Sequence, residues 1–256
     1  MKSDQRHVAV VTGAGTGIGR AVARRIVLEG GDVVLTGRRH EPLQEIEADL
    51  ADAPGRVLVR PGDHADEQHV ERMFAAVESA FGPVTLLVNN AAIAGAVDSI
   101  WDLDAGAFTE ALHCNVVGPW LCCRAAARSM RETGAGSIVS IGSISGKRPL
   151  VSRTPYTTSK MALVGLTRTL AAELGPSNIT VNLVSPGPVD TPRLAELAEK
   201  WNRPLDELVA EIAGQSALGR VSTADDIADA VMFLASRGAR NITGVDLTVD
   251  GGIWMQ

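Results

Sequence analysis

Tyr156 and Lys160, in the run Tyr156-Thr-Thr-Ser-Lys160, stand four residues apart, the spacing that stacks two side chains on one helix face. A phenol stays protonated to about pH 10 unless a neighbour stabilises its phenolate, and an ammonium one turn away does so without competing for the proton. The pair suits proton transfer to or from an alcohol or carbonyl oxygen, with the two electrons supplied by something else. Alone, this pentapeptide reads more readily as a surface tyrosine beside a surface lysine. The elements around it must decide.

Hydrophobic periodicity supplies those elements. His7-Val-Ala-Val-Val11 is a short β-rich run; a helical period holds from Arg20 to Leu28, and Gly30-Gly31 stops it before the strand Asp32–Thr36. Helix Pro42–Leu50, strand Arg56–Arg60, helix Glu67–Phe81 and strand Val84–Val88 follow. One long helix, Ala105–Arg131, leads to strand Gly136–Ile141, and the helix bearing Tyr156 runs to about Leu174 before strand Ile179–Val184. A helical insertion over Thr191–Gln215, helix Ala224–Ala235 and strand Asp246–Asp250 complete the series. This alternation implies an α/β fold: a single-domain, Rossmann-like doubly wound parallel sheet of about seven strands, with helices on both faces, spanning residues 1–256.

Hydrophobic residues make up 45% of the chain and aromatics only 4%, so Val, Ile, Leu and Ala must build the core, as in parallel sheets buried on both faces. A net charge of −6 without a basic stripe excludes a non-specific nucleic-acid binder. The run Met1–His7 is polar, and neither a signal peptide nor a twenty-residue apolar segment appears. A cytoplasmic protein without membrane association is expected. Cys114, Cys122 and Cys123 share one helix without metal-ligand spacing, so packed thiols and no metal site are expected.

Gly13, Gly17 and Gly19, with Thr16 and Ile18 between them, follow the first strand and open the first helix. Bare backbone amides at a helix N-terminus suit a pyrophosphate, although a turn needed only for tight packing would carry the same glycines. At the end of the second strand Gly37 takes the place of the acid that would hold a ribose 2′-hydroxyl. Arg38 and Arg39 follow it, and their forks suit a 2′-phosphate. NADP(H) is therefore favoured; NAD(H) is the alternative if Arg38 and Arg39 are merely solvated charges.

Together these motifs resemble the short-chain dehydrogenase/reductase family over essentially the whole chain. Thr12–Gly19 matches its TGxxxGxG turn, and Asn89-Asn-Ala-Ala92 matches its NNAG segment with Ala92 in place of glycine. Pro186-Gly-Pro-Val-Asp-Thr191 matches its PG segment, and Ile242–Gly252 its closing strand. Asn115, Ser143, Tyr156 and Lys160 stand where its catalytic tetrad is expected. The resemblance implies an NAD(P)-dependent oxidoreductase moving hydride between a nicotinamide cofactor and a secondary alcohol or ketone. It assigns the proton to Tyr156, the substrate oxygen to Ser143, the phenolate and nicotinamide ribose to Lys160, and a water leading to solvent to Asn115. It places Asp63 at the adenine, Asn89 and Ala91 at the adenosine ribose, and Pro186, Gly187, Val189 and Thr191 at the nicotinamide. Thr16 departs from the basic residue many NADP-preferring relatives carry there, which weighs against NADP.

The insertion at about 191–216 corresponds to the family's variable substrate lid. Lys147, Arg148, Arg153 and Arg193 flank the tetrad in sequence, as solvated rim charges or as recognition for an anion; Arg153 and Arg193 are the substrate candidates. The substrate is expected to be 3-oxoacyl-reductase-like, or a small, anionic hydroxy or keto compound. Ala125, Ala126, Ala127, Ala162, Leu166 and Leu170 lie on two helices that pair in relatives, which implies a homotetramer. The competing class is a non-catalytic NAD(P)-sensing regulator, which would need neither Tyr156 nor Lys160.

Overall fold

The protein is described by a computed structural model covering residues 6–255; Met1–Gln5, the greater part of the polar N-terminal run, and Gln256 lie outside the described residues. The chain begins β1 (Val8–Thr12), α1 (Gly17–Leu28), β2 (Asp32–Thr36), α2 (Glu41–Asp49), β3 (Val57–Val59), α3 (Glu67–Phe81) and β4 (Leu86–Asn89). It continues through α4 (Ala105–Leu112), α5 (Gly118–Thr133), β5 (Gly136–Ile141), α6 (Thr154–Leu174), β6 (Ile179–Pro186) and the two-residue β7 (Val189–Asp190). Then come α7 (Pro192–Lys200), α8 (Leu205–Gln215), β8 (Ser222–Thr223), α9 (Ala224–Ala235) and β9 (Asp246–Val249).

Seven strands form one parallel sheet in the order β3-β2-β1-β4-β5-β6-β9, the doubly wound arrangement expected from the alternation. Alternate residues of the strands feed two helical layers. Val11, Leu35, Val88, Val139 and Val184 pack with α1, α2 and α9, while Val10, Val34, Leu87, Ile138 and Val181 pack with α3 and α5. Every strand ends at the same edge of the sheet, so Thr12, Asn89, Ile141 and Pro186 arrive together there. β1 and β4 adjoin at the point where the strand order reverses, the crevice in which doubly wound sheets bind ligands.

Two expectations are corrected, and a third gains detail. The long helix Ala105–Arg131 is interrupted by a π-helical turn over His113–Val117. Pro119 is the cause: it offers no N–H to the Asn115 carbonyl four residues back, and the Gly118 N–H reaches five residues back to the His113 carbonyl. The insertion is helical as expected, in two helices that part at Asn202, which has φ 51°; Leu194, Ala198, Leu208 and Ile212 form a small core of their own. Ala125, Ala126 and Leu170, taken as contact residues between subunits, pack inward on the sheet.

At the opposite edge of the sheet Asp32 is buried and receives Arg6 at 2.9 Å and Arg56 at 2.6 Å, and it also accepts the Arg56 backbone N–H. Burial alone would raise this carboxyl, but the hydrogen bonds from Arg56 and Arg6 outweigh it and hold it below the usual range. Its stabilisation is therefore complete above about pH 4 and is lost as pH falls through the lower folded value. Asp32→Asn is expected to lower stability at pH 7 by about 1–3 kcal/mol. Urea unfolding at pH 7 and at pH 3 checks both points, because the deficit of the variant should shrink in acid.

Candidate active site

α1 starts one turn after β1 because Gly13 and Gly17 take positive φ, 62° and 53°. Its N-cap, Thr16, makes no side-chain cap hydrogen bond, whereas Asp66, Asp104 and Thr223 cap α3, α4 and α9. The first amides of α1 are thus left for an external anion. Gly19 fits a close approach: a methyl group there would lie on the Gly13 carbonyl and 2.5 Å from Asn90 Nδ2. Asn90 locks that contact by donating to the carbonyls of Thr12 and Gly13 at 2.9 and 3.0 Å. Thr12 Oγ1 in turn accepts the N–H groups of Asn90 and Ala91.

The structure brings the cofactor candidates together around this crevice. Ile18 packs against the core beneath the turn. Thr191, at the N-cap of α7, returns to the glycine turn, with its Cγ2 3.3 Å from where a Gly17 Cβ would stand. β7 and β8 pair to carry it there, and the Gly187 N–H donates to the Val249 carbonyl beside the end of β6. Arg38 and Arg39 are exposed, and neither pairs with a carboxylate among the described residues. Asp63 is also exposed, with Oδ1 taking the Ala65 N–H. Asn89 is the exception. Its side chain turns inward to the Pro119 carbonyl, Cys123 Sγ and Ser140 Oγ, leaving only its backbone for the crevice.

Asn115, Ser143, Tyr156 and Lys160 converge at the same edge. Lys160 is buried and its Nζ donates to the Ile141 carbonyl at 2.8 Å, at the very end of β5. Burial pushes its pKa down, opposed by Tyr156. Tyr156 is pushed up by burial but pulled further down by Lys160, Arg193, a hydrogen bond with Ser143 and Arg153, so the phenol ionises below its ordinary value. Arg153 and Arg193 each place a guanidinium carbon 5.3 Å from the Tyr156 ring centroid. Lys147, by contrast, is consumed by Asp246 at 3.0 Å and Thr248 at 2.7 Å, and Arg148 is exposed.

Asn115 is fully engaged: Oδ1 accepts the Ile93 N–H, and Nδ2 donates to the Ile93 carbonyl and to Ser159 Oγ. Ser159 passes the link on to the Tyr156 carbonyl at 2.8 Å. The π turn frees the Cys114 carbonyl of its helical donor, and His64 Nε2 takes that place at 2.9 Å, so this nitrogen carries the proton. Burial holds His64 neutral, and Gly118 leaves room for its ring. Thr12, Asn90, Ser159 and His64 were not singled out from sequence. The first three lie inside the quoted motifs; nothing local marks His64.

A doubly wound sheet with an uncapped glycine turn at its switch point and a tyrosine–lysine pair at the same strand edge, by the end of β5, defines a dinucleotide-dependent enzyme. A family model described as enoyl-(acyl carrier protein) reductase matches residues 13–254. The short-chain reductase NovJ of Streptomyces niveus is 38% identical over 254 residues, covering 97% of this chain and 94% of that protein. Cis-4-hydroxycyclohexanecarboxylate dehydrogenase of Sinomonas cyclohexanicum is 36% identical over 246 residues, 96% of each chain. An actinorhodin polyketide ketoreductase with NADPH has the same fold at TM-score 0.92 and 34% identity, with 99% of both chains covered. The chain belongs to the short-chain dehydrogenase/reductase family. It is an NAD(P)-dependent oxidoreductase, and nothing among the relatives supports a non-catalytic sensor. No helix among the described residues is long and apolar enough to cross a membrane.

Gly19→Ala is expected to weaken dinucleotide binding at least about tenfold and to lower stability by about 1–3 kcal/mol, since backbone must shift to admit the methyl. Gly214→Ala, in α8 with open space around it, should leave binding intact and stabilise by roughly 0.5–1 kcal/mol. Cofactor titration and thermal melts of the two variants check the contrast.

Proposed function

We propose that the chain interconverts a ketone and a secondary alcohol with NADP(H), using Tyr156 as the proton donor and acceptor. The observation that carries this reading is the buried Lys160, its Nζ 5.6 Å from the Tyr156 ring centroid, which draws the phenol below its ordinary pKa. When bound, the dinucleotide supplies or accepts the hydride. The α1 amides of the Gly13–Gly19 turn hold its pyrophosphate, with Thr16 and Ile18 in the same turn. Arg38 and Arg39 take a 2′-phosphate, Asp63 meets the adenine, and Asn89 and Ala91 border the ribose through backbone. Pro186, Gly187, Val189 and Thr191 hold the nicotinamide end.

Ser143 orients the substrate oxygen toward the phenol, restricting the poses from which transfer occurs. Lys160 stabilises the phenolate and reaches the nicotinamide ribose. The Asn115 side chain is committed to Ile93 and Ser159, so its main-chain carbonyl, deprived of a donor by Pro119, is the group we assign to a water leading to solvent. The paired helices α7 and α8, residues 191–216, act as the lid. Val117, Trp120 and Met161 stand exposed on the π turn, α5 and α6, which supports a homotetramer built through these elements; the assembly is assigned to the cytoplasm.

Tyr156→Phe should lower turnover by roughly 10²–10⁴-fold while the melting temperature is retained, measured by reduced-nicotinamide absorbance against a ketone panel. Oxidation of alcohols by the wild type should rise with pH through a value below that of a free phenol. Arg38→Ala should weaken NADPH by about tenfold or more and change NADH little, read by equilibrium titration. Equal losses for both dinucleotides would remove the 2′-phosphate assignment.

A further inference from the structure

Arg153 precedes the first turn of α6 and Arg193 is the second residue of α7, and tertiary folding sets both guanidinium groups 5.3 Å from the Tyr156 ring. Lys160 Nζ is 5.6 Å from the same centroid. Three cations surround one ring. Three cations of this half of the chain are neutralised, Lys147 by Asp246, Arg203 by Glu211 and Arg220 by Asp226, and Arg148 points to solvent. Arg153 and Arg193 pair with no carboxylate among the described residues, and Arg153 Nε is buried without a hydrogen-bond partner. Like charges gathered against one ring repel one another, and at the half-buried Arg153 burial together with the exposed Arg193 disfavours the charged form. A fold that neutralises Lys147 and turns Arg148 to solvent, yet sets these two unpaired against the Tyr156 ring, has them placed for an anion that arrives with the ligand.

We propose that Arg153 and Arg193 bind a carboxylate carried by the alcohol or ketone itself, so that the chain acts on hydroxy and keto acids in preference to neutral analogues. This rests on the assignment of Tyr156 as proton donor. Two forked guanidiniums suit the two oxygens of a carboxylate, and their place beside the phenol sets the distance between that group and the reacting oxygen. The cofactor phosphates have their own partners at the glycine turn and at Arg38 and Arg39. The clamp also links binding to ionisation. A bound carboxylate offsets the charges that draw the phenol down, so oxidation of a hydroxy acid should rise at higher pH than oxidation of its neutral ester.

The test is kcat/KM, in the presence of NADPH, for a set of chain and ring keto acids and for their methyl esters. Wild type should favour the best acid over its ester by about tenfold or more. Arg153→Ala and Arg193→Ala should each bring that ratio toward one, mainly through KM, and Arg153→Lys should restore part of it. The pH profiles for acid and ester should converge in the alanine variants. Keto phosphonates and sulfonates form a parallel arm, and a greater preference for either than for carboxylates overturns the carboxylate assignment. An acid no better than its ester overturns the proposal, as does a ratio that survives both substitutions. An equal rise in the NADPH dissociation constant in these variants also overturns it, because the arginines would then serve the cofactor. If no ketone is reduced, or if Tyr156→Phe is as active as wild type, the proton-donor assignment fails separately. The clamp is then judged by calorimetric binding of benzoate against benzamide to the NADP-loaded protein. Tighter benzoate binding that is lost in Arg193→Ala supports it, and equal binding overturns it.

Discussion

The site is organised by one buried charge. Lys160 keeps an ammonium out of water, which is unfavourable unless acceptors meet it, and the Ile141 carbonyl at the end of β5 accepts from it at 2.8 Å. That bond ties α6 to the edge of the sheet. It fixes the helical phase of Tyr156 one turn away, and Ser143, in the segment that follows β5, favours the ionised phenol. The phenol's acidity follows from placement: burial raises it, and the cations gathered around the ring reverse the sign.

Parallel topology makes this placement inexpensive in additional structure. Because the strands end at a common edge, the residues after β1, β4, β5 and β6 meet without long loops. Small polar bridges then set the spacing to tenths of an ångström: Thr12 and Asn90 between β1 and β4, and Asn115 and Ser159 between the π turn and α6. His64 completes the frame by satisfying a carbonyl that the π turn strips of its donor. These bridges act by fixing backbone, and their side chains are already spent on it. Asn115 and Asn89 illustrate the point, since both use their amides inward.

Much of this was legible in the chain. Val- and Ile-rich runs alternating with helical periods identified the seven strands and their connections, and the glycine turn and the tyrosine–lysine spacing marked the two ends of the crevice. The π turn around Asn115 was missed although its cause, Pro119, is a local signal, because the apolar period runs through it on both sides. The insertion read as one amphipathic stretch because Leu194, Leu197, Leu205 and Leu208 keep a helical rhythm across the bend at Asn202. Ala125 and Ala126 read as interface because small residues suit close helix contacts, and the sheet supplies such a contact as readily as a second subunit.

What the sequence determined by itself was local: which segments are strands or helices, where the chain turns on glycine, and which residue types are able to move a proton or hold a phosphate. Only the tertiary structure decided which polar groups were still free. Four cations flank the tetrad in sequence, and the fold consumes Lys147 at Asp246, leaves Arg148 in solvent, and sets Arg153 and Arg193 against the phenol. The physical reason is that charge pairing and desolvation depend on distance through space, and residues separated by a hundred positions become neighbours only when the strands align.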